Sequence, residues 1–207
     1  MAEPRTITTV LFDGFELLDA CGPLELFGHL PESFRLVLAG PGLAPVASRQ
    51  GPALRPDTDY ASAPPPGIVL VPGGHGTRSL VKDRDFLDWL TLWSAPAELI
   101  TSVCTGSALL AAAGLLDGYR ATSNKRAFGW VREQGPRVDW VPHARWVEDR
   151  DRWTSSGVAA GMDMALALIA RLHGHEVAQT VADGVELEWH SDPDWDPFAG
   201  LYGLDES

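Results

Sequence analysis

The chain has 207 residues, 45% of them apolar and 21% charged, enough to bury a full core in a single domain spanning 1–207 without a disulfide or metal. Its 16 basic residues stand against 28 acidic ones for a net charge of −12, and no Lys/Arg-rich run offsets that field, which excludes nucleic acid and anionic membranes as expected partners. Two cysteines, Cys21 and Cys104, exclude a secreted disulfide scaffold.

The opening MAEPRTITTV has no basic end followed by an apolar core, so no signal peptide is expected and the reading is of a cytoplasmic protein. ITTVLF (7–12) is short, β-branched and almost wholly apolar, the pattern of a strand buried on both faces. Leu17, Leu18, Leu24, Phe27 and Leu30 predict an amphipathic helix after it, bent or restarted at Pro23. FRLVLAG (34–40) predicts the next strand, and ASAPPPG (61–67) a stiff surface connection into IVLVP (68–72), another. Phe86, Leu87, Leu90 and Trp93 mark a helix, ELITSV (98–103) a strand and residues 107–113 a helix. The uncharged run 99–116 is about as long as a minimal membrane span, but Thr101, Ser102, Thr105, Gly106, Ser107 and Gly114 interrupt it. Its β-branched front and Ala/Leu back read as a strand running into a helix. ARWVEDRDRWTSS (144–156) predicts a hairpin around a charged turn. Residues 162–172 and 177–189 predict two further helices, with His173-Gly174-His175 at their junction and His190 at the polar end of the last.

Strands alternating with helices imply an α/β fold with a mostly parallel central sheet and helices on both faces. Such sheets hold ligands at the carboxyl ends of their strands. Three exits therefore matter: Phe12-Asp13-Gly14, Pro72-Gly73-Gly74-His75-Gly76 and Val103-Cys104-Thr105-Gly106.

Ser102-Val103-Cys104-Thr105-Gly106 has the layout of a nucleophile elbow, in which small flanking residues let the chain turn sharply enough to present the central side chain. At a helix N-terminus the dipole would favour a Cys104 thiolate. A buried structural cysteine is the commoner fate of a lone Cys. In VPGGHG (71–76), consecutive backbone N–H groups at Gly73, Gly74 and His75, with that of Thr105, could form an oxyanion hole, or the segment is simply a tight turn. Neither the Walker nor the dinucleotide glycine spacing is present. FDGFELLDACGPLELF (12–27) offers Glu16, Asp19 and Glu25 near a strand end. Asp19 lies among Leu17, Leu18, Ala20 and Cys21, where burial would raise its pKa and suit it to acid/base work, or else it caps the turn before Gly22-Pro23. Cys21 reads as packing. None of His29, His75, His143, His173, His175 and His190 has the spacing of a zinc site, and no metal is expected. Most tryptophans read as packing, while Trp189 and Trp195 with Phe198 could close a subunit contact.

In order, FDGFELLDACGPLELF, IVLVPGGHGT (68–77), VCTGSALLAAAGLLDGYRATSNKRAF (103–128) and TSSGVAAGMDMALALI (154–169) resemble the ThiJ/PfpI superfamily over nearly the whole chain. The resemblance implies a class I glutamine amidotransferase-like, flavodoxin-like sandwich. Within the superfamily the chain is most similar to the isonitrile hydratase branch, whose Asp-x-x-Gly-Pro and Cys-Thr-Gly marks stand here as Asp19-Ala20-Cys21-Gly22-Pro23 and Cys104-Thr105-Gly106. It further implies Cys104 as nucleophile, Asp19 as the acidic partner facing it and Thr105 as an assisting hydroxyl. The backbone at Gly73, Gly74 and His75 would line the hole, in a homodimer that acts on a small molecule without a cofactor. Many relatives carry a His about twenty residues after the cysteine; here Asn124 stands in that place, removing the proton shuttle of glyoxalase-like and peptidase-like members. Cys21 replaces another small or apolar residue common in hydratases, which would reshape the pocket near Asp19. The expected activity is hydration of an isonitrile to an N-substituted formamide. Its rivals are a cysteine-based oxidative-stress sensor without turnover, and a hydrolase of small amides or thioesters that draws on His75 or His190. A related group of regulators joins such a domain to a DNA-binding helix-turn-helix, and this acidic chain is not expected among them.

Overall fold

The computed structural model describes residues 3–204. The chain opens with β1 (Arg5–Val10), α1 (Leu17–Gly28) and β2 (Phe34–Gly40), then a small ribbon of β3 (Val46–Ala47) and β4 (Ala53–Leu54), then β5 (Thr58–Asp59). β6 (Ile68–Val71), α2 (Thr77–Leu80), α3 (Arg84–Ser94), β7 (Leu99–Val103) and α4 (Gly106–Ala112) follow. Next come β8 (Arg120–Ala121), α5 (Phe128–Gln134) and β9 (Asp139–Trp140), and then the hairpin of β10 (Trp146–Asp149) and β11 (Arg152–Ser155). α6 (Ala160–His173), α7 (His175–Gly184) and α8 (Phe198–Leu201) complete the described elements.

Seven strands form one sheet in the order β10-β11-β7-β6-β1-β2-β5, every neighbouring pair parallel except β10 with β11. The apolar runs become strands because both faces are covered. Within β6, Ile68 and Leu70 point to the side of α1, α6 and α7, while Val69 and Val71 point to the side of α3 and α4, the two-residue alternation of a strand. Each such buried side chain contributes roughly 1.5–3 kcal/mol. From β1 the chain runs outward to β2 on one side, and β6 lies on the other, so the exits of β1, β6 and β7 open around the switch point of the sheet. Residues 99–116 divide into β7 and α4, and among the described residues no helix is long and apolar enough to cross a membrane.

Three local expectations change. α1 runs unbroken through Pro23. The proline removes one backbone bond, but Gly22 beside it is packed so closely on α6 that a Cβ there would lie 2.7 Å from Met162 Cγ, and this contact carries the helix across. The last long helix stops at Gly184, not 189: Glu186 takes φ +54° and the Leu187 N–H reaches back to Ala182 O at 2.9 Å, a Schellman-type ending. Leu187 and Trp189 still pack on the core from the loop, which is why the apolar pattern outlasts the helix. His190 therefore ends no helix; its backbone N–H donates to Asp163 Oδ1 at 3.0 Å. The Pro-rich connection is pinned by Trp93, whose indole N–H donates to Pro64 O at 3.0 Å.

Candidate active site

β7 delivers Cys104 into a turn where it takes φ +57°, a left-handed conformation that costs a side-chain-bearing residue about 1–2 kcal/mol. The surroundings over-determine it. The Cys104 N–H donates to Ser155 O and Ser156 O at 3.2 Å each, and its carbonyl accepts from Ser107 Oγ at 3.1 Å and Ser123 Oγ at 2.8 Å. Gly106 opens α4 directly against the end of β6. The elbow read from Ser102 to Gly106 is thus built as expected, with the side chain aimed at the carboxyl ends of the strands.

Asp19, in the first turn of α1, is fully buried. The Gly73 N–H donates to its Oδ2 at 2.9 Å, and the Cys104 thiol lies beside the carboxyl within side-chain hydrogen-bonding reach. Desolvation dominates, raising Asp19 from 3.8 to about 8; the Gly73 N–H opposes this and the nearby Glu16 charge adds to it. The acid is protonated at neutral pH, as its apolar neighbours predict. The thiol departs from expectation. Burial and then the Asp19 charge push Cys104 well above 9.0, although the Thr105 N–H hydrogen-bonds the sulfur. The helix N-terminus does not produce a resting thiolate here, because desolvation outweighs one backbone donor.

The glycine turn also differs from an open oxyanion hole. The Gly73 N–H is taken by Asp19 and the Gly74 N–H by Thr105 Oγ1 at 3.0 Å, while the Thr105 N–H faces sulfur. These groups lock the site together instead of standing ready for an oxyanion. Gly73 has to be glycine, since a Cβ would lie 2.5 Å from Thr105 N and 2.9 Å from Asp19 Oδ2. Thr105 engages the turn through its hydroxyl, and His75 sits exposed on the rim.

Cys104 opens into a cavity of about 430 Å³ lined by Glu16, Gly74, His75, Thr105 and Asn124, and by three arginines, Arg49, Arg78 and Arg126. His190 is not among the lining residues. Asn124 Oδ1 accepts the Ala127 N–H at 3.1 Å, so its Nδ2 is left facing the cavity side. A Cβ on Gly157 would come 2.4 Å from that Nδ2 and 2.8 Å from Cys104 Sγ, so amide and sulfur flank one glycine. Arg49 and Gln50 reach in from the turn of the β3–β4 ribbon, where Gln50 bonds Glu16 and Arg49 pairs with it at 3.6 Å. The arginines escaped the sequence reading because they come from three separate segments with no shared spacing. Cys21 does not shape this pocket: it lines a separate, mostly apolar groove of about 540 Å³ with Leu24, Leu36 and Leu54. Among the described residues no three His, Cys, Asp or Glu side chains converge as metal ligands.

Behind the elbow lies a support that sequence reading missed. Lys125 Nζ is buried, donates to Thr122 Oγ1 at 2.8 Å and Ala144 O at 2.5 Å, and stands 3.8 Å from the buried carboxylate of Asp196, whose Oδ1 accepts the Phe198 N–H at 2.9 Å. Lys125→Met keeps the stem but strands Asp196, so a loss of about 3 kcal/mol in urea unfolding is expected. The double variant with Asp196→Asn recovers part of that loss.

The sequence model described as the DJ-1/PfpI family matches residues 5–171. The chain is 36% identical to the isonitrile hydratase of Pseudomonas putida over 189 residues, 90% of this chain and 79% of that one. It is 34% identical over 185 residues to the HTH-type transcriptional regulator GbdR of Pseudomonas aeruginosa, covering 87% of this chain but only 50% of the regulator. Among solved structures, a THiJ/PfpI family protein from Pseudomonas syringae superposes with a TM-score of 0.82 at 32% identity, over 93% of this chain and 78% of that one.

Proposed function

We propose that this chain, which belongs to the DJ-1/PfpI family, hydrates isonitriles to N-substituted formamides with Cys104 as nucleophile and Asp19 as general acid and base. The observation that carries the reading is the fully buried Asp19 carboxyl, held by the Gly73 N–H at 2.9 Å beside the Cys104 thiol, where burial favours the protonated form of both groups. An isonitrile is attacked at its terminal carbon, and that same carbon must receive a proton. A neutral carboxyl beside a neutral thiol supplies both.

Asp19 gives its proton to the terminal carbon of R–N≡C as the C–S bond forms, and the thiol proton passes to the carboxyl, leaving R–N=CH–S–Cys104. Water then adds to that carbon. Asp19 takes a proton from the water and delivers one to nitrogen. The C–S bond breaks, the sulfur recovers a proton from the new hydroxyl, and R–NH–CHO departs. Only water and isonitrile are consumed. Asn124 Nδ2, which flanks Gly157 together with the sulfur, is a side-chain donor close to this chemistry, in the place where many family members carry a histidine.

Because the acid must be protonated, kcat/KM is expected to be flat at neutral pH and to fall about tenfold per unit above about 8, where Asp19 loses its proton first. A rise through that range would instead mean that a thiolate is the required form. The direct test follows formamide release from alkyl and aryl isonitriles, with Cys104→Ala as the blank. Turnover that vanishes in the variant is expected. A wild-type protein inert to the whole panel, or an active Cys104→Ala, would falsify the proposal.

A further inference from the structure

The Cys104 cavity is positively lined in a chain of net charge −12. Three arginines and one glutamate face it. Arg49 is offset by Glu16, at 3.6 Å, whereas among the described residues Arg78 and Arg126 have no carboxylate partner. Arg78 is also held in place. Its guanidinium lies over the Trp130 ring, 3.4 Å from the centroid, and it is close enough to Cys104 to feel the sulfur's charge once the thiol ionises. Stacking fixes the plane of the guanidinium while leaving its N–H fork for a ligand. Two uncompensated guanidiniums beside a nucleophile, in a cavity of about 430 Å³, make a subsite for a small anion close to the reacting carbon.

We propose that the isonitrile taken by this site carries a carboxylate a few bonds from its N≡C group, paired with Arg78 and Arg126. A planar carboxylate suits the guanidinium fork in two-point pairing, and its short reach keeps the terminal carbon at Cys104 while the charge lies on the arginines. Pairing there orients the substrate end-on. It also works against the repulsion that the acidic surface imposes on any anion. The proposal rests on the hydratase reading and names its substrate class.

The test compares isocyanoacetate with its neutral methyl ester, in the wild type and in Arg78→Gln/Arg126→Gln. The expected result is a kcat/KM at least about tenfold higher for isocyanoacetate, and a preference that shrinks by at least about tenfold in the double variant. Equal use of both substrates by the wild type, or a preference for the ester, overturns the carboxylate subsite. A second arm needs no turnover. The rates at which iodoacetate and iodoacetamide alkylate Cys104 are measured by peptide mass and compared with those for glutathione. The iodoacetate-to-iodoacetamide ratio is expected to be at least about tenfold higher at Cys104 than at the free thiol. If no isonitrile reacts but this ratio holds, the hydratase reading falls and the anion subsite stands. If isonitriles react but neither arm favours the anion, the subsite falls and the hydratase stands. The wild-type ratio alone decides the subsite should the double variant fail to fold.

Discussion

Asp19→Asn is expected to lower kcat/KM for isonitriles by about 10³-fold or more and, at the same time, to make the protein more stable at pH 8. The first effect follows from role: an amide of the same shape can accept the Gly73 N–H but cannot pass a proton to carbon and take one from sulfur, a contribution of about 10²–10⁴ for a placed acid/base. The second follows from linkage. In the unfolded chain Asp19 ionises near 3.8, in the folded chain near 8, so between those values the folded state binds the extra proton. Stability therefore falls as pH rises from about 4 to about 8, by up to about 1.4 kcal/mol per unit from this group. Asn has no proton to retain. The gap between variant and wild type should be absent near pH 4 and widen steadily to about pH 8, read from urea midpoints at each pH. A gap that stays constant with pH would mean that Asp19 is ionised in the folded protein, and the acid/base assignment would go with it.

The parts of this site that could be read in the sequence are those written in local pattern. β-branched runs bounded by turn residues gave β1, β2, β6 and β7, and Ser102 to Gly106 carried the elbow because a sharp turn needs small neighbours whatever surrounds it. Asp19 could be read as a buried acid because its apolar neighbours are adjacent in the chain. The pKa of Cys104 could not, since it depends on how completely Ser155–Val158, Asn124 and α1 enclose the sulfur, and none of these is near it in sequence. The same holds for the spent N–H groups of Gly73 and Gly74. A glycine turn looks like an anion cradle until the residues that fill it, Asp19 and Thr105, arrive from two other elements. Two-residue strands such as β5 and β8 lack any periodic signal, and the apolar pattern runs past the end of α7 because Leu187 and Trp189 pack on the core, half-buried, without being helical.

Gly106→Ala is expected to be strongly destabilising for a single methyl, at more than about 4 kcal/mol, with most of the protein insoluble. The added Cβ would stand 2.1 Å from Val71 O and 2.9 Å from Pro72 O. Both are backbone atoms at the end of a central strand, so no side chain can swing away. Relief requires moving β6 or lifting α4 off the sheet, and either shift drags Gly73 and Thr105 with it. The control is Gly129→Ala on the exposed face of α5, where an added Cβ meets nothing within 4 Å and the helix should gain about 0.5–1 kcal/mol. Cys104→Gly gives the complementary result within the same turn. Removing a side chain from φ +57° relieves about 1 kcal/mol of backbone strain, yet removes the thiol. Neighbouring residues of one elbow thus respond oppositely to a Cβ: at 106 the helix reaches the sheet only without one, while at 104 the chain tolerates one in a costly conformation because the sulfur has to project there. If Gly106→Ala folds with near-native stability, α4 does not pack against β6 as closely as this geometry requires, and the Gly73–Thr105–Asp19 contacts that depend on that approach lose their basis.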